Sequence, residues 1–150
     1  MNPVQSPPIP PVSDQEVAVM VGDPKPRREL DRIIDRLSFS ADAKAIISRI
    51  GEVTLDIGGK LIAIGRSVLT FALQLIGVAP GTAFGAILGA TISALISSVP
   101  VFGWLFGPML APLLMTAGVG LGALADFASG MLGRRIQAFV DTYAPLAVAA

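Results

Sequence analysis

Asp31 and Asp35 stand four residues apart in the stretch RRELDRIIDR, with Arg28, Arg32 and Arg36 interleaved. Paired carboxylates divide general acid and general base work when their surroundings hold them at different pKa values. On an amphipathic surface beside arginines they read instead as a solvated face. Histidine and cysteine are both absent, which removes the partner a nucleophilic serine needs, thiolate chemistry, disulfides and imidazole metal sites. The glycine spacing lacks the lysine and Ser or Thr of a phosphate loop. No catalytic residue, metal ligand or cofactor is therefore expected, and the chain reads as non-enzymatic. Three polar residues at or within apolar stretches remain, Arg66, Gln74 and Asp126. An ionisable group inside a membrane is a functional candidate because its desolvation is costly. Arg66 can snorkel to water, and Asp126 sits where solvent or Arg134 and Arg135 would meet it.

The elements that would position these groups follow from where the charges lie. Eleven basic and eleven acidic side chains cancel, so the net field gives no argument for nucleic acid. Yet no Asp, Glu, Lys or Arg occurs among the 59 residues from Ser67 to Ala125. That run is about three times what one membrane crossing needs. With 53% hydrophobic and 15% charged residues, the composition also departs from the usual globular balance. The first 20 residues lack a basic n-region and an unbroken apolar segment, so a cleaved secretory signal is not expected.

Four regions result. Residues 1–26 hold seven of the twelve prolines and read as a disordered, Pro-rich tail, whose PPIPP is suited to an aromatic groove on an unidentified protein partner. Residues 27–66 read as amphipathic helices. Leu30, Ile33, Ile34 and Leu37 share one face, Ser40 is an N-cap with Asp42 in the first turn, and Ile46, Ile47, Ile50, Val53, Ile57, Leu61 and Ile64 continue a second helical period. These stretches lie on a membrane surface or pack against copies of themselves or a partner. Residues 67–133 form a hydrophobic hairpin region, and residues 134–150 a C-terminal segment with Arg134 and Arg135 at its start.

Within the hydrophobic region, helices over Thr82 to Val99 and Pro108 to Ala125 have matched lengths, and Pro100, Gly103, Trp104, Gly107, Pro108 and Pro112 mark the turn between them. Trp104 is placed at the water interface. Gly81, Gly85, Gly89, Ser93 and Ser97 recur at every fourth position, and Gly118 and Gly122 repeat the theme on the second arm. In lipid such ladders permit the close backbone approach on which helix association depends, either between subunits or within one hairpin.

Pro100, Gly107, Pro108 and Pro112 give the turn a spacing that resembles the proline knot of oleosins, the hairpin proteins of lipid droplets. The likeness covers 13 residues; its first gap is one residue longer than the family's, and a glycine stands where the family has serine. It implies a lipid-surface role.

The sequence thus predicts an all-α integral membrane protein with two spans, or three if Leu61 to Ala79 also crosses. The positive-inside rule puts both termini in the cytoplasm. The expected function is a non-enzymatic homo-oligomer in the lipid bilayer, pore-forming or membrane-permeabilising. The alternatives are a scaffold or coat of a membrane or lipid body, and an accessory subunit of a larger membrane complex.

Overall fold

A computed structural model describes residues 12–37, 39–57, 59–78, 84–117 and 130–149. Helix α1 (Asp14–Val21) lies inside the stretch read as a tail. Its cause is local: in SDQE, Ser13 Oγ accepts from the Glu16 amide at 3.2 Å while Glu16 Oε2 accepts from the Ser13 amide at 3.0 Å, a reciprocal capping box. Val17 and Met20 then carry α1 into the core.

Helices α2 (Arg27–Asp35) and α3 (Ala41–Gly51) follow the period read in the sequence, burying Leu30 and Ile34 from one and Ala43, Ile47 and Ile50 from the other. Ser40 caps α3, its Oγ accepting from the Ala43 amide. On the solvent side Arg27 bridges the two helices, donating to Glu52 at 2.6 Å and to Ser48 at 3.4 Å.

The continuous helical period expected from Ile46 to Ile64 is interrupted. Strands β1 (Leu55–Ile57) and β2 (Lys60–Ile62) pair antiparallel, with Leu55 opposite Ile62 and Ile57 opposite Lys60. Gly59 adopts φ +87° in the connection, and its amide donates to Asp56 Oδ1. A Gly-Gly pair between two short alternating runs is a hairpin signal, because such turns need positive φ.

The uncharged run then divides into α4 (Ile64–Val78), α5 (Phe84–Ser98) and α6 (Val101–Ala117), with 15, 15 and 17 residues. At about 1.5 Å per residue these reach about 22 to 26 Å, short of a hydrocarbon layer of about 30 Å. No helix among the described residues is long and apolar enough to cross a membrane. This corrects the integral membrane fold, its two-span hairpin and three-span rival, the localisation built on them, and the transmembrane and pore-forming reading that needs such spans.

The apolar residues have another use. Helix α5 is surrounded by protein: it packs against α4, α6 and α7 (Gly130–Asp141), and Ile87, Leu88, Ile92 and Leu95 are fully buried. A helix that is apolar all round is the signature of a span and equally of a bundle's central element. The hairpin turn is also tighter than expected. The Phe102 amide donates to Val99 and the Gly103 amide to Pro100, so α6 starts at Val101 and runs through Gly103, Trp104, Gly107, Pro108 and Pro112. A short 3-10 helix (Ala144–Ala149) closes the described chain and buries Leu146 against the core.

Candidate functional surfaces

Helix α6 presents two contrasting faces. Phe102, Phe106 and Leu113 point inward and are fully buried. Outward lie Pro100, Trp104, Pro108, Ala111, Pro112 and Met115, all exposed, with Trp104 50% and Met115 81% accessible. Neither face carries a charge. Pro108 has no N–H for the Trp104 carbonyl and Pro112 none for the Pro108 carbonyl, and both rings sit on the outer side, where their clash with the preceding turn meets no core packing. Pro100, Gly103, Trp104 and Pro108 enclose a shallow apolar hollow of about 330 Å³.

The small-residue ladder is divided between two environments. Gly85 and Gly89 are buried inside the chain, while Ser93 and Ser97 join Ala90, Gly133, Ile136 and Gln137 around a groove of about 200 Å³ between α5 and α7. Gly81, Gly118, Gly122 and Asp126 lie outside the described residues. Arg66 is half-buried on α4 and donates to the Lys25 carbonyl at 3.4 Å.

Gln74, also on α4, opens onto a cleft that the sequence reading missed. Its walls come from three places: Met20 on α1 with Gly22, Asp23 and Pro24 after it; Ser67, Thr70, Phe71 and Gln74 on α4; and Phe139, Thr142 and Tyr143 at the end of α7. Aromatic contacts hold it together. Phe71 stacks on Phe139 with centroids 4.4 Å apart, Phe139 meets Tyr143 edge-on at 5.5 Å, and Tyr143 meets Phe102 of α6 at 5.6 Å. Thr70 Oγ1 accepts from the Lys25 amide and donates to the Arg66 carbonyl, which pins the α1–α2 connection to α4. The sequence signal was the pair of apolar-aromatic turns FALQ and AFVDTY, which no spacing rule joins across more than 60 positions.

Tyr143 is 2% exposed. Burial pushes its phenol above the usual value of about 10, and a hydrogen bond with Ser67 pulls it partly back. The folded state therefore favours the neutral phenol. Its contribution to stability is complete below about pH 10 and is lost as pH rises through the folded-state pKa. Because the chain has one tyrosine, ultraviolet titration reads this group alone. Phenolate should form above pH 10, together with loss of helical circular dichroism; reversible ionisation near 10 with the fold intact would contradict the burial argument.

Among the described residues no group of three carboxylates could hold a metal ion. No family model matches the chain, and no curated protein or solved structure is significantly similar to it.

Proposed function

We propose that the protein is a non-catalytic structural module that assembles with copies of itself through the outer face of α6. The observation behind this reading is the exposed, uncharged stripe from Pro100 to Met115. Contiguous apolar surface of this kind marks an interaction site in soluble folds, because leaving it in water forfeits about 25 cal/mol per Å². A second copy fits better than a lipid surface. Helices that lie on membranes carry basic polar faces that attract anionic headgroups, whereas α6 has no Lys or Arg at all.

Sedimentation velocity on the full chain, with Trp104→Glu and Met115→Glu combined, tests this. Both side chains are exposed, so the variant should keep the parent's circular dichroism. The parent should sediment as an oligomer and the variant as a monomer, with self-association weakened at least about 100-fold, since each carboxylate would have to be desolvated unpaired at the contact. A parent that stays monomeric at high concentration, or a variant of unchanged mass, would refute the assembly. Flotation of the parent with neutral liposomes, abolished by the same pair, would transfer the face to a lipid coat.

A further inference from the structure

We infer that the cleft between the α1–α2 connection, α4 and the end of α7 is a binding site for a small organic cation with an aromatic or apolar body. Three independent features converge there. The first is shape and lining: about 230 Å³ walled by Phe71, Phe139 and Tyr143, which is room for about seven water volumes of about 30 Å³ each. Phe71 and Phe139 cover one face of each other and Tyr143 is buried, so a cation would meet the outer surface of the half-buried Phe71–Phe139 pair, drawn by the ring quadrupole.

The second is a carboxylate. Asp23 lines the cleft, is exposed, and has no ion pair among the described residues. Of the two cations flanking the lining, Lys25 pairs with Glu29 at 3.2 Å, while Arg66 keeps its charge and is turned toward the Lys25 carbonyl, to which it donates. No Lys or Arg is among the lining residues.

The third is the backbone. Two helices, α1 and α7, end at this cleft, at Gly22 and at Thr142. The carboxyl end of a helix carries partial negative charge, which proteins commonly offset with a basic residue in the last turn. Helices α2 and α3 follow that pattern with Arg32 and Arg49, whereas α1 and α7, like α4, α5 and α6, have no basic residue there. Two uncompensated helix ends and a free carboxylate thus surround an aromatic hollow, and the polar rim of Ser67, Gln74 and Thr142 offers acceptors to ammonium protons. This site is independent of the assembly proposed for α6.

Calorimetric titration of the full chain at low ionic strength, with 2-phenylethylammonium as the probe, tests the site. The neutral isostere 2-phenylethanol and the anion 3-phenylpropionate serve as comparators. The cation should bind saturably with a dissociation constant of about 0.1 to 1 mM, a range suited to a ligand of this size. The alcohol should bind about five- to tenfold more weakly and the anion not measurably. Asp23→Asn, in an exposed connection and nearly isosteric, should weaken the cation by about the same factor while leaving the alcohol unchanged, and added salt should act in the same direction. Resonances of Phe139 and Tyr143 should shift on binding. Absence of saturable binding up to about 20 mM, equal affinity for cation and alcohol, or an Asp23→Asn variant that binds the cation like the parent would each overturn the inference.

Discussion

Gly65→Ala is expected to leave the chain largely unfolded under conditions where the parent is stable. Gly65 starts α4 where it crosses the end of α3, and its amide donates to the Val53 carbonyl at 3.0 Å. A β-carbon there would lie well inside van der Waals contact with the Ile50 carbonyl oxygen, 2.9 Å from its carbon and 3.1 Å from the Val53 nitrogen. All three are backbone atoms. No side chain can rotate away, so relief requires separating α3 from α4 and uncovering Ile47, Ile50 and Leu69, which are buried. Ordinary overpacking costs about 1–3 kcal/mol; a backbone collision at a helix crossing should exceed about 4 kcal/mol. Against a total of about 5–15 kcal/mol for a typical domain, little native protein would remain. Gly107→Ala is the control. A β-carbon at Gly107 meets nothing within 4 Å, and alanine favours a helix over glycine by about 0.5–1 kcal/mol. Urea denaturation of the two variants should therefore move in opposite directions. A Gly65→Ala midpoint within error of the parent would mean that α3 and α4 do not cross as described.

That crossing shows where local reading stopped. The period of α2 and α3 and the Ser40 cap were legible because each depends on residues within a turn or two. The capping box of SDQE and the Gly-Gly hairpin were equally local, and both were overridden by a coarser impression, proline density in one case and a long apolar period in the other. Gly65 was not legible. Its requirement comes from Ile50 and Val53, which approach it only after the hairpin has reversed the chain. The same holds for the site residues. Asp23, Phe71 and Tyr143 lie 48 and 72 positions apart in sequence, and nothing at any one of them announces the others. The largest error, the membrane hairpin, has a thermodynamic origin: hydropathy measures the drive to leave water and does not say whether lipid or protein provides the refuge. Helix α5 takes protein. Charges belong at the rim in either case, so their absence from Ser67 to Ala125 could not distinguish the two.

Phe102 and Trp104 put that distinction to a direct test, because the hairpin reading put both in the segment of the turn, with Trp104 at the water interface, and the fold separates them. Phe102 is 0% exposed and meets Phe106 and Tyr143 edge-on at 6.1 and 5.6 Å, whereas Trp104 is 50% exposed on the opposite side of α6. Phe102→Ala removes a ring from the cluster joining α6 to α7 and leaves a cavity lined by aromatic groups that cannot collapse without shifting two helices. The expected cost is about 3–5 kcal/mol, the range for aromatic truncation in a core. The damage should spread to the cleft, since Tyr143 loses the ring against which it packs. Its phenol should then ionise closer to its ordinary pKa, a second readout in the single-tyrosine titration. Trp104→Ala removes a larger side chain yet should change the monomer's stability by no more than about 1 kcal/mol, since half of it is already in water and no core residue depends on it. Equal losses at the two positions would remove the inward and outward faces of α6 on which both the fold and the proposed assembly depend. A large loss at Phe102 alone, with Tyr143 titrating earlier, is the result the packing requires.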